Sequence, residues 1–176
     1  LFSRHREQPL TRTLVQARAR RALEARRALL AGVDHEHSAC RLIFGEADGL
    51  PGLIVDKFGS VLVFQSLAFA AEVCRDDVLA TLATELSCTR IVERNDAPVR
   101  DLEGLAQRRG EWPAEATAVA GDGLVEILEN GCRYLVDPLG GQNCVLAGQD
   151  GASRSTSKLR AVTGDWMLPA TSTARA

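Results

Sequence analysis

Between residues 10 and 31 apolar side chains return at Leu14/Val15, Ala19, Ala22/Leu23 and Leu29/Leu30. That is the spacing of one helix face. Thr11 or Thr13, after Pro9, can cap the start, and Gly32 suits the end. The period then shortens. Cys40–Phe44, Leu53–Asp56 and Ser60–Ser66 are short apolar runs bounded by turn residues, and each predicts a strand. In the third, Val61, Leu62, Val63 and Phe64 are continuous, which predicts a central strand buried on both faces. Residues 70–86 return to helical spacing, with Val73, Asp77/Val78, Leu82 and Leu86 down one side. Cys88–Glu93 is a β-branched run and predicts a further strand.

Beyond it the pattern weakens. Arg94–Gly110 is charged and irregular, with room for a short helix at 99–107. Ala116–Ala120 and Leu124–Glu129 predict two strands around Gly121-Asp122-Gly123, and Glu129-Asn130-Gly131 is a hairpin turn into Cys132–Val136. From residue 143 onward Ser, Thr, Ala, Gly and Arg dominate and no period survives, so the tail reads as poorly ordered. The expected class is α+β: a small sheet of strands around a helix, preceded by a basic helix and followed by a hairpin and an irregular tail.

Charge adds an asymmetry that the net value of −2 hides. Residues 1–33 carry +6, residues 34–150 carry −11, and residues 151–176 carry +3. A basic arm on an acidic body suits a polyanion bound at one end, or simply a solvated helix face. Five cysteines at wide spacing with no C-x-x-C favour reduced thiols over a disulfide framework or zinc site. His35 and His37 are close on a loop with no ligand cluster around them, so an exposed linker is the expectation there. Asp101 and Glu103 do not share a helix face and read as solvated charge. No apolar run is long enough for a membrane span. No nucleotide loop, nucleophile elbow or metalloprotease motif occurs.

One string is more specific. Arg41-Leu42-Ile43-Phe44-Gly45-Glu46-Ala47-Asp48-Gly49 continues through Leu50-Pro51-Gly52 to Gly59. It resembles the central domain of the RlmI-type rRNA methyltransferases. Further pieces match that family in order. They are Ala22–Arg26, Ile91–Asp96, Arg100–Leu105, Glu129–Gly131, and Val136-Asp137 followed by Gly140-Gly141-Gln142. The likeness runs from about residue 10 to residue 142.

The resemblance implies an S-adenosylmethionine-dependent enzyme acting on C5 of a cytosine in large-subunit (23S) rRNA or its precursor, in the cytoplasm. In that family a cysteine thiolate attacks C6 of the base. The implied organisation is a remnant of a PUA domain at 1–9, a basic linker helix at 10–32, the central α+β domain at 33–110, and a β-hairpin at 111–142. The hairpin would lead to a Rossmann-like methyltransferase domain that this chain is expected to lack. Residues 143–176 are expected to be an irregular, out-of-frame tail, because motif and periodicity are lost together, with a natural truncation as the alternative.

No catalytic residue is assigned on this basis, and no cofactor is expected on this chain itself. Gly140, Gly141 and Gln142 are the candidates nearest the family's cofactor side, with a plain turn as the alternative. Arg18, Arg20, Arg21, Arg26, Arg27, Arg94 and Arg100 are the candidate RNA contacts, although Arg94 and Arg100 can equally pair with the acidic body. A non-catalytic RNA- or protein-binding module on the same domain is the competing expectation. The sequence sets no oligomeric state, and a homodimer is compatible with it.

Overall fold

The computed structural model describes residues 9–31, 34–113, 123–129, 132–140 and 144–147. Helix α1 spans Arg12–Leu30. Thr11 is its N-cap, and its Oγ1 accepts from the N–H of Leu14 at 3.2 Å. Val15, Ala19, Ala22 and Leu23 form its buried stripe. Gly32, the expected stop, lies outside the described residues, and the helix ends at Ala31. Leu29 was grouped with the apolar face but is 68% exposed.

Five strands form one sheet in the order β1-β2-β3-β4-β5: Ala39–Phe44, Leu53–Phe58, Val61–Ser66, Arg90–Asn95 and Arg108–Glu111. The continuous apolar run is the central strand, as expected. β3 and β4 are parallel, which requires a crossover, and α2 (Phe69–Glu85) supplies it. The other neighbours pair antiparallel. A bulge between Arg41 and Ile43 shifts the β1 register. It lets consecutive residues Leu42 and Ile43 both be buried, which a regular strand with alternating faces does not allow.

The helices cover one face of the sheet. Val15, Ala19 and Leu23 of α1 and Val78, Leu79 and Leu82 of α2 meet Leu42, Leu53, Val55, Leu62 and Phe64 in one cluster. Each large side chain buried there contributes about 1.5–3 kcal/mol. The stripe of α2 is turned from the one expected. Ala71, Cys74, Val78 and Leu82 face inward, whereas Val73 is 63% exposed.

Two stretches read as irregular are ordered. Only Val99–Leu102 of the segment 99–107 is helical (α3), and Arg108–Glu111 is the edge strand β5. No apolar alternation marks β5, because its side chains make ion pairs rather than a core. A second sheet holds β6 (Val125–Glu129), β7 (Cys132–Val136) and β8 (Cys144–Ala147) in that order. The expected hairpin is present, with Glu129 opposite Cys132, although Asn130 and Gly131 lie outside the described residues. β8 stands where the irregular tail was expected to begin, and pairing with β7 supplies its hydrogen bonds. The strand expected at 116–120 falls outside the described residues.

The small sheet is tied to the large one by polar contacts. The N–H of Leu128 donates to the His37 carbonyl at 2.9 Å, and Arg90 Nη1 donates to the Gly123 carbonyl at 3.1 Å.

Candidate nucleic-acid interface

The arginines of α1 do not act as one basic face. Arg18 Nη1 donates to the Gly49 carbonyl at 2.5 Å. Arg26 donates to both carboxylate oxygens of Asp48, at 2.5 and 2.8 Å, and also to the carbonyls of Ala22 and Arg41. These two residues clamp the helix to the turn between β1 and β2. Arg20 pairs with Glu85 at 3.1 Å and Arg27 with Glu24 at 2.5 Å. Both pairs are exposed, and such pairs are weak and screened by salt. Arg12 pairs with Asp77 at 2.8 Å. Arg21 is exposed and has no partner among the described residues. Of the α1 candidates it is the most available to a phosphate.

The signature string is explained residue by residue. Gly45–Asp48 is a turn of 3₁₀ helix, stopped by Gly49 at φ +70°. Asp48 receives Arg26 and also accepts from the N–H of Phe44 at 2.7 Å, so one carboxylate fixes helix, strand end and turn. Gly52 has φ +75°, and a Cβ there would stand 2.6 Å from the Ala68 Cβ. The string therefore encodes a close approach of the turn to the start of α2.

Arg100 is fully buried. It donates to the Ser66 carbonyl and Oγ, to Glu72 Oε2 at 3.1 Å, and to the Ala106 carbonyl at 3.0 and 2.8 Å. Its donors all face inward, and none is offered to a phosphate in this structure. Glu72 also accepts from Ser66 Oγ, Arg75 and Arg108. Glu93 accepts from Arg75, Arg108 and Asn95. Arg75 lies over the Trp112 ring at 4.2 Å.

Burial acts to raise the Glu72 pKa. The hydrogen bonds from Ser66 and Arg100 and the charges of Arg75 and Arg100 outweigh it and hold the carboxyl below its usual value. Sequence reasoning allowed Arg100 an acidic partner but did not bring Glu72, Glu93, Arg75 and Arg108 together. The network's one visible signal was the matched pieces Ile91–Asp96 and Arg100–Leu105. Arg94 pairs with Asp96 at 3.2 Å and donates to the Pro138 carbonyl at 3.4 Å, so it bridges the two sheets.

Asp101 accepts from Gln107, and Glu103 accepts from the N–H of Phe69 at the start of α2. Among the described residues no cluster of His, Cys, Asp and Glu suits a metal. His37 is held by Asp34 at 2.9 Å and lies 3.8 Å from Glu126. The described residues include no helix long and apolar enough to cross a membrane.

Burial pushes the Cys74 thiol up to about 11 and raises those of Cys40 and Cys88. A nucleophilic cysteine needs its thiolate, and these three environments oppose it. At the cofactor-side candidates, the N–H of Gly140 donates to Asp137 Oδ1 at 2.6 Å. A Cβ on Gly140 would collide with that same carboxylate. The turn closes on itself through that carboxylate. Gly141 and Gln142 lie outside the described residues.

Two solved structures share this fold. One is described as a methyltransferase complexed with SAH, with a TM-score of 0.57 and 17% identity over 75% of this chain and 31% of its own. The other, described as a SAM-dependent methyltransferase from Streptococcus mutans, has a TM-score of 0.55 and 18% identity with the same coverage. At such identity the likeness is one of fold, and it places the mixed α+β architecture among methyltransferase structures.

The curated relatives are more particular. Over 101 residues, 57% of this chain, the sequence is 40% identical to ribosomal RNA large subunit methyltransferase I of Citrobacter koseri. It is 41% identical to the protein of that name from Salmonella arizonae over the same length. The chain is homologous to these enzymes over that stretch, as the signature string implied. The match spans about a quarter of their length, 24%. No family model matches the chain.

Proposed function

We propose that residues 10–140 form the RNA-side module of an S-adenosylmethionine-dependent enzyme that methylates C5 of a cytosine in large-subunit rRNA. The observation that carries this reading is the 40% identity over 101 residues to ribosomal RNA large subunit methyltransferase I. In this reading residues 10–32 are the linker helix, 33–110 the central domain, and the strands beyond 123 the start of the connection to the catalytic part. The cofactor and the nucleophile belong outside the described residues, and this chain by itself transfers no methyl group.

Its own contribution is to hold RNA, with Arg21 as the leading phosphate contact and Arg20 and Arg27 able to exchange their exposed carboxylate partners for phosphates. The cytoplasm, where rRNA is made in bacteria such as those of its relatives, is the expected location.

Filter binding of the full chain to large-subunit rRNA across a salt series tests this. We expect affinity to fall with rising salt, and Arg21→Ala to reduce the log–log slope by about one. Absence of salt-sensitive binding overturns the RNA reading. Incorporation of labelled methyl groups into rRNA by this chain alone overturns the assignment of the chemistry to other residues.

A further inference from the structure

The end of β1 leaves an aromatic ring where the sheet edge meets solvent. Phe44 is 53% exposed. The Arg41 guanidinium lies over it, 5.3 Å from the ring centroid. Arg41 does not swing freely, because its Nε and Nη2 donate to the two oxygens of Asp56 at 2.8 and 3.2 Å. The carboxylate sets the direction of the guanidinium and balances its charge. Beside the ring lies a depression of about 590 Å³, floored by Gly45, Ala47, Pro51, Gly52 and Ile54. Among the described residues its one charged lining residue is Glu46. Gly52 and Ala68 both line the depression, and Gly52 must lack a Cβ to sit against Ala68. Among the described residues the hydrophobic core cluster does not include Phe44.

We propose that Phe44 and Arg41 form a stacking platform for one base of single-stranded RNA, with the adjoining depression receiving that base. The proposal rests on the rRNA reading above and gives that module a second kind of contact. Unpaired bases of RNA are taken by stacking on aromatic rings and guanidinium planes.

The charge pattern selects the base rather than the backbone. Arg41 is neutralised, and Glu46 repels a phosphate but can accept a hydrogen bond from a base amine. The apolar floor suits the flat face of a base. Phosphate contacts from α1 and a stacked base at the hairpin would then make separable contributions. Only the first depends on salt.

The test is fluorescence anisotropy of the full chain with a labelled single-stranded oligonucleotide of large-subunit rRNA sequence, over a salt series. Phe44→Ala is expected to weaken binding about ten-fold, with the salt slope unchanged. Phe44→Trp is expected to retain the affinity. Arg21→Ala does the converse and changes the slope. Wild-type affinity in Phe44→Ala, with the wild type binding, overturns the platform and leaves the RNA reading standing. Failure of the wild type to bind overturns both.

Phe44 is half exposed, so its loss should leave the fold intact by circular dichroism. Should Phe44→Ala not fold, photo-crosslinking of the wild type to 4-thiouridine RNA decides. Crosslinks on the peptide containing Phe44 support the platform, and crosslinks confined to other peptides overturn it.

Discussion

Arg20 and Arg100 differ in nothing but position along the chain. Arg20 lies on the open side of α1 with its side chain 57% exposed and one exposed carboxylate partner. Arg100 is sealed between α2, β3 and the loop before β5, with every hydrogen bond directed to protein. The first arginine keeps its water and gains little from its partner. The second has lost its water entirely, so its partners must replace it. An arginine count therefore says little about nucleic-acid binding until burial divides the arginines. Those of α1 include Arg21, with no partner among the described residues, whereas Arg75 and Arg100 are buried in the network beside β4. The same sheet face shows the change directly: the row Val55, Phe64, Glu93 passes from apolar to ionic within three strands.

The contrast can be broken most forcefully at Arg100. Arg100→Ala takes a donor from the buried Ser66 and removes a charge from beside Glu72. We expect a loss of about 3–5 kcal/mol in urea unfolding, and a loss below 1 kcal/mol would mean the network is not a core. Arg26→Ala should fall between the two classes, at about 1–3 kcal/mol. Its pair with Asp48 is mostly shielded, with side-chain exposures of 17% and 8%. The same denaturation series reads it.

Acid titration sharpens the contrast further. Glu72 is depressed in the folded state, so on acidification the unfolded chain takes up its proton first. The stability from this group is fully present above the usual glutamate pKa and is lost as pH falls through the folded value. Thermal melts of Glu72→Gln should therefore lose less stability between neutral and acid pH than wild type. Parallel curves would show that Glu72 is not the group responsible. Smallest of all is Arg20→Ala, where the expected change is under about 1 kcal/mol and vanishes at high salt. A larger, salt-independent effect would put Arg20 in the buried class.

Much of the fold was legible. Helix α1 with a threonine cap, the strand runs of β2 and β3, the central position of β3 and the helix α2 all follow from period and turn residues. These are local signals, written within a few positions of where they act. What was not legible has one cause. β5 has no apolar alternation, since Arg108 reaches Glu72 and Glu93 and Arg109 approaches Asp96 at 3.9 Å. The partners of Arg108 are 15 and 36 positions away in sequence. The stripe of α2 was misread for a related reason. Arg75 is buried on the inward side because Trp112 and two carboxylates receive it, and no hydrophobic pattern credits an arginine with an inward position.

The sequence by itself determined the types of the first six elements with strong periodicity, their turns, the segregation of charge, and the kinship with rRNA methyltransferases through the string around Phe44–Gly59. Those properties depend on neighbours along the chain or on direct likeness. Tertiary structure alone decided which arginines lose their water, that Asp48 anchors Arg26 while Arg21 finds no partner among the described residues, and that Phe44 is left facing solvent under Arg41. Each of those outcomes depends on which distant groups meet in space, because a charge or a ring acquires its energetics from the water it keeps or loses there.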